Sequence, residues 1–83
     1  MSLYRIARKA NGYVQYITAD CVAAAVHAMA NLEPEDAYLN VWSGPKQRWI
    51  EVPESQFADI YHAAAGDPGN YRVISSEWEQ EGD

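Results

Sequence analysis

The residues able to do chemistry in this 83-residue chain are two histidines, one cysteine, five serines and a scatter of carboxylates. His27 and His62 occupy matching places on two alanine-rich stretches. A metal site needs a third ligand, and neither His-x-x-x-His nor Glu-x-x-His spacing occurs. Both histidines therefore read as ordinary residues on helix flanks. Cys21 falls in the first turn of a predicted helix, where the helix N-terminus can lower a thiol pKa. No nucleophile motif surrounds it, so it reads as a small structural cysteine. Ser2, Ser43, Ser55, Ser75 and Ser76 all lack the Gly-x-Ser-x-Gly setting of a hydrolase. Gly44-Pro45-Lys46-Gln47 is too short for a phosphate loop, and its proline removes a donor N–H. Glu33, Glu35 and Asp36 lack the spacing and central glycine of a calcium loop. The expectation is a protein with no catalytic residues, no metal and no cofactor.

The remaining residues must then be explained by the elements that hold them. Tyr4 and Ile6 alternate against Leu3, Arg5 and Ala7, as in a strand. Asn11-Gly12 predicts a hairpin in which both turn positions accept positive φ. Tyr13–Thr18 is aromatic and β-branched and reads as the return strand. Asp20 stands where an N-cap belongs. Cys21–Asn31 is predicted as a helix with Val22, Val26 and Met29 on one stripe, its alanines allowing close approach to a sheet. Leu32–Asp36 is a loop broken by Pro34. Ala37–Ser43 sets Leu39 and Val41 against Tyr38, Asn40 and Trp42. After a Gly44-Pro45 turn, Gln47–Val52 sets Ile50 and Val52 against Trp49 and Glu51. Pro53 suits the first position of a second helix reaching Ala65, with Phe57, Ile60, Tyr61 and Ala64 on its stripe. Tyr71–Trp78 is a last strand, and an acidic end, 77–83, is expected to fray.

The order ββαββαβ predicts an α+β fold, a two-layer sandwich with a mostly antiparallel five-stranded sheet and two helices on one face. Residues 13–76 also fit a ferredoxin-like order preceded by an extra strand. A faint repeat at an offset of 33 to 35 residues aligns Tyr16-Ile17 with Trp49-Ile50 and His27 with His62. The length is that of one domain, 1–83. No apolar run reaches the roughly 20 residues of a membrane helix. With one cysteine and no apolar leader near the N-terminus, the expected compartment is the cytoplasm.

Charge and aromatic content suggest the function class. Twelve acidic residues against six basic ones give a net charge of −6 and a pI near 4.7. Direct nucleic-acid binding depends on Lys and Arg neutralising phosphates, so this balance argues against it. Acids steer toward basic partners. If Leu39, Val41, Ile50 and Val52 face the helices, then Tyr38, Trp42, Trp49 and Glu51 face away, on a sheet face rich in the side chains that hold interfaces. The predicted partner-binding residues are these four with the carboxylates Glu33, Glu35 and Asp36. In size, acidity and layout the whole chain resembles the anti-CRISPR proteins, the small acidic inhibitors of phages and mobile elements. That resemblance carries no motif and assigns no residue. It implies a non-enzymatic inhibitor that occludes a basic, nucleic-acid-binding surface of a host complex, such as a CRISPR effector complex, by mimicking nucleic acid. The alternative is a homodimer or larger homo-oligomer joined through the aromatic sheet face.

Overall fold

In hairpins with one buried face, period-2 alternation fixes which residues turn inward, and the strands here follow it. The computed structural model describes residues 2–32 and 36–78. Strands β1 (Ser2–Arg8) and β2 (Tyr13–Ala19) lead to helix α1 (Val22–Leu32). Strands β3 (Ala37–Ser43) and β4 (Arg48–Val52) lead through a 3-10 turn, Glu54–Gln56, into helix α2 (Phe57–Ala63), and β5 (Tyr71–Trp78) closes the chain. All strand pairings are antiparallel. The result is the α+β architecture predicted, in the order ββαββαβ.

The strand order in space is β4-β3-β1-β2-β5. This departs from the ferredoxin-like alternative, because β1 sits in the middle of the sheet and separates β2 from β3. The two hairpins thus lie side by side, joined along β1 and β3. The offset of 33 residues that aligns Tyr16 with Trp49 also carries Ile6 onto Leu39, and these two residues are direct partners across the β1–β3 seam. The repeat does not extend to the hairpin registers: Arg5 pairs with Tyr16, but Trp49 pairs with Trp42 and not with Tyr38, so the arrangement is two ββα units side by side with β5 outside both.

The core lies between one sheet face and the helices. Ile6, Ile17, Ala19 and Leu39 are fully buried there, beside Tyr4, Ala37 and Val52. Burial raises the Tyr4 phenol above its ordinary pKa. On α1 the buried residues are Ala24, Ala25, Val26, Ala28 and Met29. Val22, predicted on the apolar stripe, is exposed instead. The packing surface is mostly methyl groups, which lets the helix backbone lie close to the strands. Helix α2 is shorter than predicted and buries no residue fully. Only Phe57 and Ile60 pack against the core. Its predicted start is a 3-10 turn closed by the Gln56 N–H on the Pro53 carbonyl. His27 ties α2 to α1: its Nε2 donates to the Tyr61 carbonyl at 3.2 Å, and its ring stacks on Tyr61 at 4.1 Å.

Each hairpin turns through four residues, not the two expected at Asn11-Gly12. The fourth carries the positive φ: Gly12 at 74° and Gln47 at 51°. Asn11 contributes through its side chain, whose Oδ1 accepts from the Tyr13 N–H. Asp20 also differs from its predicted role. The helix begins at Val22, and the Ala25 N–H bonds to the Cys21 carbonyl, so Cys21 holds the cap position. The Asp20 carboxylate instead accepts from the Asn70 N–H at 3.0 Å, while the Asp20 N–H donates to the Asn70 carbonyl. Cys21 Sγ donates to the Pro68 carbonyl. Together these bonds moor the loop that delivers β5 to the sheet edge. Gly69 within that loop has φ +92°, and a Cβ there would meet Asp20 Cβ at 3.3 Å. Gly69→Ala is expected to lower stability by about 1–2 kcal/mol, read as a fall of roughly 5–10 °C in the thermal midpoint.

Candidate protein-binding face

The sheet face opposite the helices collects the residues that the core rejects. In β1 these are Leu3, Arg5 and Ala7. Their cross-strand partners carry the same face outward: Arg5 pairs with Tyr16 on one side and Asn40 on the other, and Asn40 pairs with Glu51. Ala7 pairs with Tyr38, and Trp42 with Trp49. The face predicted from the β3–β4 alternation is therefore present, with Tyr38, Trp42, Trp49 and Glu51 on it.

The aromatic rings form one cluster. Trp42 and Trp49 meet edge to face at 5.4 Å, and Trp49 lies 6.1 Å from Tyr16 across two intervening strands. The Arg5 guanidinium bridges that gap, with Cζ 5.0 Å from the centre of the Trp49 ring, in cation–π range. Tyr38 is 46% exposed and Trp42 39%. Val14, on the same face, is fully buried and lies apart from the core cluster. Beside the rings, Arg5, Ala7, Tyr38, Asn40 and Glu51 line a depression of about 390 Å³. Arg5 Nε is buried at this position without a hydrogen-bond partner among the described residues.

Lys9 closes one end of the face. Its ammonium sits 4.9 Å above the Tyr38 ring and is paired with Glu54. The hydrogen bond that the ammonium donates to Glu54 holds the Lys9 pKa above its ordinary value, with Asp36 adding to the attraction. Glu51 and Asp36, both exposed, therefore stand on the β3–β4 side of the molecule with Glu54. Of the predicted carboxylates, Glu33 and Glu35 lie outside the described residues. So does most of the acidic end, 79–83; residues 77 and 78 are not frayed but continue the β5 ladder, paired with Val14 and Tyr13.

Beside the apolar Leu3, Ala7 and Val14, the members of the face absent from the predicted set are Arg5, Tyr16 and Asn40. For Asn40 the signal was its place between Tyr38 and Trp42 on the outward side of β3, which sets it opposite Glu51. For Arg5 it was the outward alternation of β1, and only the pairing of β1 with β3 brings Arg5 and its partner Tyr16 beside Trp49. Among the described residues, no group of three His, Cys, Asp or Glu side chains could hold a metal ion, and no helix is long and apolar enough to cross a membrane. Compared with known proteins, the chain matches no family, no curated sequence and no solved structure.

Proposed function

We propose that this chain is a non-catalytic protein-binding inhibitor that seats its open sheet face on a basic, nucleic-acid-handling surface of a host complex. The observation that carries the reading is the ring cluster of Tyr16, Trp42 and Trp49, standing with exposed Tyr38 on a face that no helix among the described residues covers. Large aromatic side chains in that position are the usual anchors of a protein interface. The net charge of −6 supplies the steering toward a basic surface, while the rings supply the holding energy. Arg5 and Asn40 add donors in the centre of the face, where a backbone carbonyl or carboxylate of the partner would sit. Occupation alone would exclude nucleic acid from the partner, and the acids would stand in for phosphates.

The test uses purified CRISPR effector complexes and their labelled target DNA. Added chain is expected to block DNA binding in a saturable way, and less effectively as salt rises. Reversal of Glu33, Glu35 and Asp36 to lysine should weaken the block at least tenfold, as expected for several steering charges. Unchanged DNA binding across a panel of such complexes, at concentrations where the chain is folded, would remove this reading.

A further inference from the structure

The two ends of the sheet are built differently. At one end, β4 has five residues, carries exposed Arg48 and Glu51, and runs into Pro53. Short length, charge and proline are the usual means of keeping an edge from pairing. At the other end, β5 has eight residues. Its central stretch, Val73-Ile74-Ser75-Ser76, is uncharged and exposed throughout. Val73 is 41% exposed and Ile74 55%. An edge strand of this kind presents an unpaired row of N–H and C=O groups and is a template for a further strand.

We propose that β5 pairs antiparallel with β5 of a second copy of this chain, about a two-fold axis through Ser75. The register of β5 against β2 carries the argument. Ile17 pairs with Val73 and Tyr16 with Ser75, so Ile74 is the extra residue of a bulge. With Ile74 set aside, the strand is symmetric about Ser75. In the paired copies position 73 faces position 76, position 72 faces 77 and position 71 faces 78. Arg72 of each copy thus falls opposite the glutamate position of the other, and Tyr71 opposite a tryptophan position. Opposite charges and aromatic pairs across strands both favour a ladder. The register also respects the pleat, because 72, 75 and 77 share one face of the sheet and 71, 73, 76 and 78 the other. An axis perpendicular to the sheet keeps those faces aligned. The product is one ten-stranded sheet with four helices on one side and two aromatic faces on the other. This goes beyond the inhibitor reading and does not depend on it.

Sedimentation velocity of the full chain, from about 5 to about 500 µM, tests the proposal. The wild type should pass from monomer to dimer within that range. Because two copies at −6 repel, the dimer should tighten as salt rises, the opposite of binding to a basic partner. Ile74→Lys, and separately Arg72→Glu, should each weaken dimerisation at least tenfold, while the pair Arg72→Glu with Glu77→Arg should restore it to within roughly threefold of wild type. Circular dichroism melts of each variant confirm that the fold is retained. A wild type that stays monomeric at the top concentration in high salt overturns the proposal. So does a dimer that survives Ile74→Lys but is lost with Trp42→Ala, which would place the contact on the aromatic face.

Discussion

Leu39→Ala is expected to remove about 3 kcal/mol of stability, a large part of the roughly 4–12 kcal/mol available to a chain of this length. Leu39 is fully buried in the middle of β3, and its cross-strand partners on the two sides are Ile6 and Val52. The opposite wall is α1, whose packing residues are mostly alanines. Alanine side chains cannot swing into a vacated space, so the cavity should stay open and the loss should fall in the upper part of the usual range. Urea titration followed by tryptophan fluorescence measures it. Tyr38→Ala is the control from the same strand and the opposite face. It should cost less than about 1 kcal/mol, because an exposed side chain leaves little buried area behind. Equal losses at the two positions would mean that the faces of β3 are assigned the wrong way round.

The second large effect is on binding. Trp42→Ala should weaken association with the inhibited partner by at least about thirtyfold, the range of an interface anchor, while lowering the thermal midpoint by only a few degrees. Trp42 is the better probe of the two tryptophans because it is the more exposed. Trp49 also supports Tyr16 and the Arg5 guanidinium, so its loss would disturb the face as well as the contact. Titration of the variant against the partner by calorimetry, beside a melt of the free protein, separates the two quantities. Partner affinity within threefold of wild type for Trp42→Ala would move the contact off the sheet face altogether.

The faces of the β3–β4 hairpin were legible in the sequence because a hairpin couples two alternating strands. Leu39 and Val41 point one way, Ile50 and Val52 join them, and the tryptophans are left on the other side. Element order was legible for the same reason, since each hydrophobic period is local. The place of β1 was not. Nothing in Leu3–Lys9 says that it pairs with β3 as well as β2, because that choice depends on partners as distant in sequence as Val41 is from Tyr4. Arg5 is legible in the sequence only as an outward residue of the first strand, and the β1–β3 register is what makes it part of the aromatic cluster. Loop geometry was also hidden. Asn11-Gly12 signals a turn, but the length of that turn is set by where Ala7 and Val14 pair. The early end of α2 has a similar origin. Its residues have helical propensity to Ala65, but none is fully buried, and marginal short helices persist only where packing holds them.

The central position of β1 and the outer position of β5 also set an order of assembly. Each hairpin closes a loop of a few residues, between Ala7 and Val14 or between Ser43 and Arg48. Loops of that size close in well under a microsecond, and hairpins form within microseconds. The β1–β3 seam then joins two preformed units. Strand β5 must return across most of the chain, pairing Tyr71 with Ala19 and Trp78 with Tyr13. Contacts so distant in sequence are the slow ones in folding. The outer edge of β2 is therefore the last part of the sheet to be covered, and the rate at which the molecule becomes native is set by the docking of a strand that belongs to neither hairpin.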